Sequence, residues 1–136
     1  MGMLSLKYNS AEMAQILSRM LQPGENMISA VYCSFHRGAF EMGSSVMAGY
    51  ISVTDQHRLI GVKYGLIGEE PFSVWLQGVK KLIIKNSFFG SKMITLKTDN
   101  LSLRFQITPK ADRKRFPDQA ECLEQMLPVL QMYQTA

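Results

Sequence analysis

Residues 93–108 read MITLKTDNLSLRFQIT, and the pattern of this stretch decides the fold class of the chain. From residue 101 onward, apolar and polar side chains alternate, which is typical of a strand with one buried and one solvated face. The apolar members are Leu101, Leu103, Phe105 and Ile107. Asp99-Asn100 separates this strand from the preceding β pattern, and both residue types tolerate the left-handed backbone of a tight hairpin. The stretch therefore predicts an antiparallel hairpin with strands at 93–98 and 101–108.

Further β patterns lie upstream of this hairpin. They cover residues 31–36, 46–53, 58–64, 72–77 and 79–85. A turn at Arg37-Gly38 ends the first pattern, and Met42–Ser45, with a glycine and two serines, is predicted to be a loop. Gly49 interrupts the second pattern, so a bulge or a close packing contact is expected there. Together with the hairpin, these patterns place the strands between residues 26 and 108.

An amphipathic helix is predicted near the start of the chain, at residues 10–21. Its apolar residues recur at i, i+3, i+4, i+7 and i+8 and form a single stripe. They are Met13, Ile16, Leu17, Met20 and Leu21. Asn9 and Glu12 have capping-box spacing, and Pro23-Gly24 ends the helix. A helix this short is marginal in isolation, so we expect it to pack on the rest of the chain or on a partner.

A second amphipathic helix is predicted at residues 118–131, at the other end of the β patterns. Asp118 and Glu121 have capping-box spacing at its start. The apolar stripe consists of Leu123, Met126, Leu127 and Leu130. Pro128 lies inside this pattern and lacks a backbone donor, so we expect the helix to kink or end near Leu127.

A run of strands closed by a helix predicts an α+β fold that is mainly β. We expect a small antiparallel barrel or sandwich with the C-terminal helix as a plug and the N-terminal helix as an addition. The chain has 136 residues and shows no internal repeat, linker or low-complexity stretch. It is therefore predicted to be a single domain spanning 1–136.

Composition places the chain among ordinary globular proteins. Hydrophobic residues make up 46% and charged residues 19% of the chain, which argues against wholesale disorder. The longest apolar runs, of about five residues, are too short for a membrane span, and residues 1–8 lack the features of a signal peptide. We therefore expect a cytoplasmic protein. Cys33 and Cys122 lack CxxC spacing and are interpreted as buried small hydrophobes, with a disulfide left open.

Positive charge is concentrated in one part of the chain, although the net charge is only +4. Ten of the fifteen Lys and Arg residues lie between Leu76 and Arg115, where only Asp99 and Asp112 oppose them. The resulting field would attract anionic lipid, nucleic acid or an acidic protein. The alternative is a solvated strand face that acids elsewhere in the fold balance.

Two stretches in this basic part are candidate contact sites. In the first, Phe88 and Phe89 lie beside a glycine turn and between Lys85 and Lys92, a combination that suits membrane insertion or partner docking. The alternative is that one phenylalanine points into the barrel and the other covers its rim. The second stretch is a basic loop that would contact phosphates or remain solvated. Its cations are Lys110, Arg113, Lys114 and Arg115.

No signature of catalysis or cofactor binding is present in the sequence. The chain lacks a G-x-S-x-G elbow, a Walker loop and the His or Cys spacings of metal sites. The two histidines are His36 and His57, and His57, near Asp55, is interpreted as a turn residue rather than as a base. We therefore expect a non-enzymatic protein that uses neither cofactor nor metal.

The order of elements and three local motifs resemble the pleckstrin-homology superfold, in particular its bacterial PH-like and GRAM-type members. Residues 51–60, ISVTDQHRLI, are similar to the strand–turn–strand of those domains, in which a Thr-Asp or Thr-Asn turn precedes an Arg-Leu-Ile strand. Residues 79–98, with Gly90 in a turn, resemble the later strands, and Phe116-Pro117 resembles the entry to the closing helix. The resemblance covers residues 25–130 and leaves the N-terminal helix outside it.

This resemblance implies a seven-stranded, strongly bent antiparallel barrel with a helix over one open end. Members of the superfold bind phosphoinositides, other lipids, peptides or proteins, and the resemblance implies no active site. The phosphoinositide-binding type clusters basic residues in its first hairpin loop. Residues 36–45 here offer only His36 and Arg37 against Glu41, so the chain departs from the phosphoinositide pattern.

Together these observations predict a binding or assembly module that acts through protein–protein interaction or self-association. The contacts would be made by exposed strand edges, the Phe88-Phe89 loop or the N-terminal helix, and a homo-oligomer is one expectation. The alternative function is peripheral binding to anionic membranes through the basic and aromatic residues named above. Nucleic acid is not expected as a partner, because the strands carry no basic and aromatic motif of an RNA-recognition or cold-shock type.

Overall fold

A computed structural model of the chain describes residues 9–36, 47–65, 68–110 and 112–135. Its strands are β1 (Met27–Phe35), β2 (Met47–Thr54), β3 (Arg58–Gly65), β4 (Gly68–Trp75), β5 (Lys81–Asn86), β6 (Lys92–Lys97) and β7 (Ser102–Ile107). Helix α1 (Ser10–Ser18) precedes the sheet and helix α2 (Gln119–Gln131) follows it. The predicted α+β class, with a seven-stranded antiparallel sheet and a helix at each end, is confirmed.

The strands form one sheet in the order β4-β3-β2-β1-β7-β6-β5. β1 joins the two halves of this sheet: it pairs with β2 along its length but with β7 only at Ser34 and Phe35. Beyond this short contact, the side chain of Gln119 in α2 accepts a hydrogen bond from Tyr32 N (3.0 Å) and donates one to Tyr32 O (2.6 Å). Gln119 therefore continues the hydrogen bonding of β1 where β7 diverges from it.

Inward side chains from every strand share one apolar core with α2. They include Phe35, Ile51, Leu59, Val74, Leu82, Ile94 and Phe105, which pack with Leu123, Met126 and Leu130 of the helix. Seven strands can share a core with one helix only if the sheet curves, so the sheet is bent around α2. Cys33 lies in this core, where burial raises the pKa of its thiol, while Cys122 is half-buried; both thiols are free.

Helix α1 packs on the outward face of β1–β3, where a second apolar cluster forms. Its buried members are Met13, Leu17, Tyr50, Ile60, Val62 and Phe116. Asn9 caps the helix as predicted, since its side-chain oxygen accepts a hydrogen bond from Glu12 N (2.9 Å). The regular helix ends at Ser18, earlier than the predicted residue 21, and tighter turns continue to Leu21. The sequence predicted that this helix packs either on the rest of the chain or on a partner. In the structure it packs on the sheet of the same chain.

The edge strand β4 and its connection to β5 differ from the prediction. β4 begins at Gly68 rather than at Phe72. The sequence pattern missed residues 69–71 because they are exposed at the sheet edge and show no apolar alternation. Residues Leu76–Gly78 form a 3₁₀ turn instead of the end of the strand, and β5 begins at Lys81 rather than at residue 79. The turn predicted at residues 37–38 and the loop predicted at 42–45 lie outside the described residues.

The hairpin at 93–108 is confirmed, but its turn is not the predicted two-residue left-handed turn. Thr98 N donates a hydrogen bond to Leu101 O (2.8 Å). The Thr98 hydroxyl oxygen accepts hydrogen bonds from Asn100 N (3.2 Å) and Leu101 N (3.1 Å). Because the hydroxyl satisfies two amides, residues 98–101 close the hairpin without a positive φ.

Gly49 shows the close packing that the sequence predicts, without a bulge. It pairs in continuous register with Cys33 on β1 and with Lys63 on β3. A Cβ atom at this position would lie closer than 3.0 Å to the carbonyl oxygen of Val62 and to the ring of Phe35. Only glycine allows the strands to approach this closely here.

Helix α2 ends at Gln131, as the predicted range 118–131 has it, so of the two effects expected of Pro128 an end near Leu127 is wrong. The carbonyl that loses its partner belongs to Glu124, which is exposed to water, and Leu130 is fully buried beyond the proline. Asp118 occupies the N-cap position, but its side chain makes no capping hydrogen bond. Within the described ranges, no helix is both long enough and apolar enough to cross a membrane.

Candidate contact surface

The turn between β5 and β6 presents an exposed aromatic side chain. Residues Phe88–Gly90 form a 3₁₀ turn, and Phe88 is 80% exposed, more than any other large hydrophobic residue in the described part of the chain. Lys85 is exposed on β5, and Lys92 on β6 donates a hydrogen bond to the side-chain oxygen of Asn86. The alternative that Phe88 enters the core or covers a rim is therefore wrong for this residue. The side chain of Phe89 lies outside what the structure describes.

One hydrogen bond links this turn to Thr108, the residue that follows β7. Gly90 adopts a φ of +79°, which glycine accepts without strain, and Ser91 N donates a hydrogen bond to Phe88 O (3.0 Å). The hydroxyl of Ser91 donates to that of Thr108 (3.1 Å), and a Cβ on Gly90 would lie 3.7 Å from the Pro109 ring. These contacts bring the residue after Pro109 close to the turn. We call this group the basic tip: Lys85, Phe88, Lys92 and Lys110.

The second predicted cluster, Arg113 to Arg115, lies in a separate tight turn, and its cations are exposed. Phe116 N donates to Asp112 O (2.8 Å), and the Asp112 carboxylate accepts a hydrogen bond from Arg115 N (3.1 Å). Ser10 of α1 donates two hydrogen bonds to Arg115 O, from its amide (2.9 Å) and its hydroxyl (3.0 Å). This cluster is therefore positioned by α1, and no described contact joins it to the basic tip.

A buried ion pair, which the sequence patterns did not predict, fastens the end of α1 to the β2–β3 hairpin. Arg58 donates to the Glu25 carboxylate from Nη2 (2.7 Å) and Nε (3.1 Å) and to the carbonyl oxygen of Met20 from Nη2 (2.7 Å). The hydroxyl of Thr54 (2.6 Å) and the amide of Gln22 (2.8 Å) also donate to Glu25. The hydrogen bonds from Arg58 lower the pKa of Glu25 to about 2, against the opposing effect of burial. The contacts hold structural elements together and leave no free charge for a ligand.

Trp75 is another exposed residue that the sequence analysis missed. Its ring is 46% exposed at the end of β4, and the guanidinium carbon of Arg58 lies 5.8 Å from the ring centroid. The cation–π contact links the exposed tryptophan to the buried ion pair. Edge position and an outward register explain the exposure of Trp75, and neither could be read from the residue type.

His57 occupies a turn, as interpreted from the sequence. It has a φ of +60°, and its amide donates to Thr54 O (2.9 Å). Its Nδ1 lies 2.6 Å from the hydroxyl of Tyr133, whereas the Asp55 carboxylate accepts hydrogen bonds from Asn26. Asp55 therefore does not orient His57 in the described contacts. Among the described residues, no group of three or more His, Cys, Asp or Glu side chains is arranged to hold a metal ion.

Comparison with known proteins identifies a similar fold without a function. No family model matches the chain, and no curated protein matches it. One similar solved structure is the C-terminal domain of an unknown protein from Leishmania infantum, with 17% sequence identity and a TM-score of 0.51. The alignment covers 90% of this chain and 99% of the other. At this identity the likeness shows a shared fold alone.

Proposed function

We propose that the chain is a non-enzymatic binding module of pleckstrin-homology type that attaches peripherally to anionic membranes through the basic tip. The observation that carries this proposal is the exposure of Phe88, 80%, between lysines of the same hairpin. The strand order and the closing helix α2 support the pleckstrin-homology resemblance within the proposal. The proposal includes a cytoplasmic location, where the free thiols of Cys33 and Cys122 would remain reduced.

The chemistry of the basic tip suits the boundary between lipid headgroups and acyl chains. Burying a phenylalanine side chain contributes about 2 kcal/mol. Each cation held near an anionic lipid surface contributes about 1 kcal/mol. Together Phe88, Lys85, Lys92 and Lys110 would contribute about 5 kcal/mol, which corresponds to reversible attachment. Because the lysine contribution is electrostatic, the attachment should weaken as salt is added.

Other surfaces named from the sequence are less suited to this role. The apolar stripe of α1 is occupied, since Met13 and Leu17 are buried against the outward face of the sheet. Arg113 and Lys114 lie in a turn whose conformation Asp112 and Ser10 fix, without an exposed aromatic side chain in the described contacts. Interaction with a protein partner stays a prediction.

The experiment is co-sedimentation of the protein with vesicles of neutral phosphatidylcholine and with vesicles that also contain phosphatidylserine, each at low and at high salt. We expect binding only to the acidic vesicles, a decrease with salt, and loss of binding in Phe88→Ser. Lys85→Gln/Lys110→Gln should retain weaker binding with a smaller salt dependence, because two charges are removed while the aromatic remains.

Ile28→Ser is the matched control, because Ile28 is a 39% exposed hydrophobic residue outside the basic tip. It should bind acidic vesicles like the unaltered protein. Arg113→Gln/Lys114→Gln tests the separate basic turn and is expected to change binding little. Equal binding to neutral vesicles, or unchanged binding of Phe88→Ser, would contradict the proposal.

A further inference from the structure

The outward face of β5–β7 carries several cations. Inward positions are taken by core residues such as Leu82, Ile94 and Phe105, so the alternate residues point outward. We call this outward surface the basic sheet face: Lys81, Ile83, Met93, Lys97 and Arg104. None of the outward residues of these three strands is acidic.

Two cations of this face are placed where their charges repel each other. Lys81 lies directly opposite Lys97 in the β5–β6 register, and like charges in opposed positions repel. None of the ion pairs in the described part of the chain includes Lys81, Lys97 or Arg104. Of the two described helices, α1 covers the outward face of β1–β3 and α2 lies in the core. The basic sheet face therefore has a charge pattern that an acidic surface would neutralise.

A surface of complementary charge exists on the same molecule. Helix α2 buries one side in the core and exposes Asp118, Glu121 and Glu124 on the other, while residues 116–136 contain no Lys or Arg. Met132, which is 66% exposed, lies three turns after Glu121 on the same side of the helix. We call this surface the acidic helix face: Asp118, Glu121, Glu124 and Met132.

We propose that the chain binds a second copy of itself, with the basic sheet face of one copy seated on the acidic helix face of the other. The lengths match: six residues of strand extend about 20 Å, and thirteen residues of helix also extend about 20 Å. Exposed Met132, at the C-terminal end of the helix, would contact the half-buried Ile83 and Met93, which lie away from Lys81 and Lys97 on the basic sheet face. The acids lie toward the start of the helix and would contact Lys81 and Lys97, which lie together at one end of the basic sheet face.

Two properties of the association follow from this geometry. Since the two surfaces differ, one contact leaves a basic sheet face free on one copy and an acidic helix face free on the other. The copies then either close a reciprocal dimer or form longer chains. One helix lying on three short strands buries less than the roughly 800 Å² per partner of a standard interface. The association is therefore weak and sensitive to salt.

Charge exchange tests the proposal. Sedimentation velocity over a range of protein concentrations at low salt should show concentration-dependent association that high salt reverses. Glu121→Lys/Glu124→Lys and Lys81→Glu/Lys97→Glu should each weaken association at least about tenfold, because attraction becomes repulsion. An equimolar mixture of the two variants should associate again. The unaltered basic sheet face of the first variant can bind the unaltered acidic helix face of the second.

Matched controls separate this interface from general effects of charge. Glu69→Lys/Glu70→Lys makes the same charge change at exposed positions of β4 and should associate like the unaltered protein. Phe88→Ser should also associate normally, so failure of membrane attachment and failure of self-association can be distinguished. Circular dichroism checks that each variant is folded. A monomer at all concentrations in low salt, or a mixture that does not associate, overturns the proposal.

Discussion

At the scale of single residues, loss of the ion pair between Glu25 and Arg58 should reduce the stability of the fold more than loss of any other polar contact described above. Removing one member of a buried pair leaves the other charge uncompensated, which costs about 3 kcal/mol. We expect Arg58→Met to lower the free energy of unfolding by about this amount at pH 7, measured by urea denaturation. Glu25→Leu/Arg58→Met, which leaves no buried charge, should recover most of the loss. A single variant as stable as the unaltered protein would contradict this prediction.

The same pair makes a prediction about pH. Its surroundings lower the pKa of Glu25 from 4.5 to about 2, so the ionised carboxylate is favoured in the folded state. The stabilisation is therefore complete above pH 4.5 and is lost as the pH falls through 2. Consequently the stability difference between the unaltered protein and Arg58→Met should narrow over this interval. A difference that stays constant from pH 7 to pH 2 would show that Glu25 does not titrate with the pair.

Gly49 tests packing rather than charge. A methyl group there would meet a carbonyl oxygen of the neighbouring strand, and backbone within a sheet cannot move aside as a flexible side chain can. We expect Gly49→Ala to reduce the free energy of unfolding by about 2 kcal/mol, in the range of overpacked cores. Gly78→Ala is the matched control, because a Cβ on Gly78 has no neighbour within 4 Å. Equal stability of the two variants would show that the sheet relaxes around the added methyl.

At the scale of elements, residue periodicity predicted those parts of the fold that bury one face. β7 and both helices follow from their apolar stripes, because each buries that stripe against a neighbour. The outer half of β4 did not follow, since residues 69–71 are exposed and have no buried face to mark them. The end of α2 at Gln131 agrees with the predicted range, but Pro128 does not end the helix near Leu127, because burial of Leu130 keeps the chain helical beyond the proline.

The candidate contact surface was predictable in its residues but not in its grouping. Phe88 and its flanking lysines were found because aromatic and basic residues adjoin in sequence. They are separate from the turn that contains Arg113, because hydrogen bonds with Asp112 and Ser10 fix the position of that turn. These hydrogen bonds cannot be predicted from the spacing of residues in the sequence. Glu25 and Arg58 were missed for the same reason: they are 33 residues apart, and only the fold brings them together.

At the scale of the whole molecule, the middle of the sheet joins two apolar clusters into one structure. β2 and β3 send alternate side chains to opposite faces, so both clusters depend on the same backbone. Ile51, Val53 and Leu59 face the core with α2, whereas Tyr50, Ile60 and Val62 face α1. Loss of α1 would expose the outward apolar cluster to water. Loss of the inward core would unfold the strands on which α1 packs. The two layers should therefore unfold together.

This coupling predicts that damage in α1 lowers the stability of the entire molecule. Leu17 is fully buried, so Leu17→Ala should cost about 3 kcal/mol. The single tryptophan, Trp75, reports on the sheet edge by fluorescence, and far-UV circular dichroism reports on the helices and sheet. Both signals should give the same urea midpoint, and in Leu17→Ala both midpoints should shift by the same amount. In Ile28→Ala the midpoint should change little, because the Ile28 side chain is 39% exposed. If α1 were an independent layer, helical signal would instead disappear first, while Trp75 kept the fluorescence of the folded sheet.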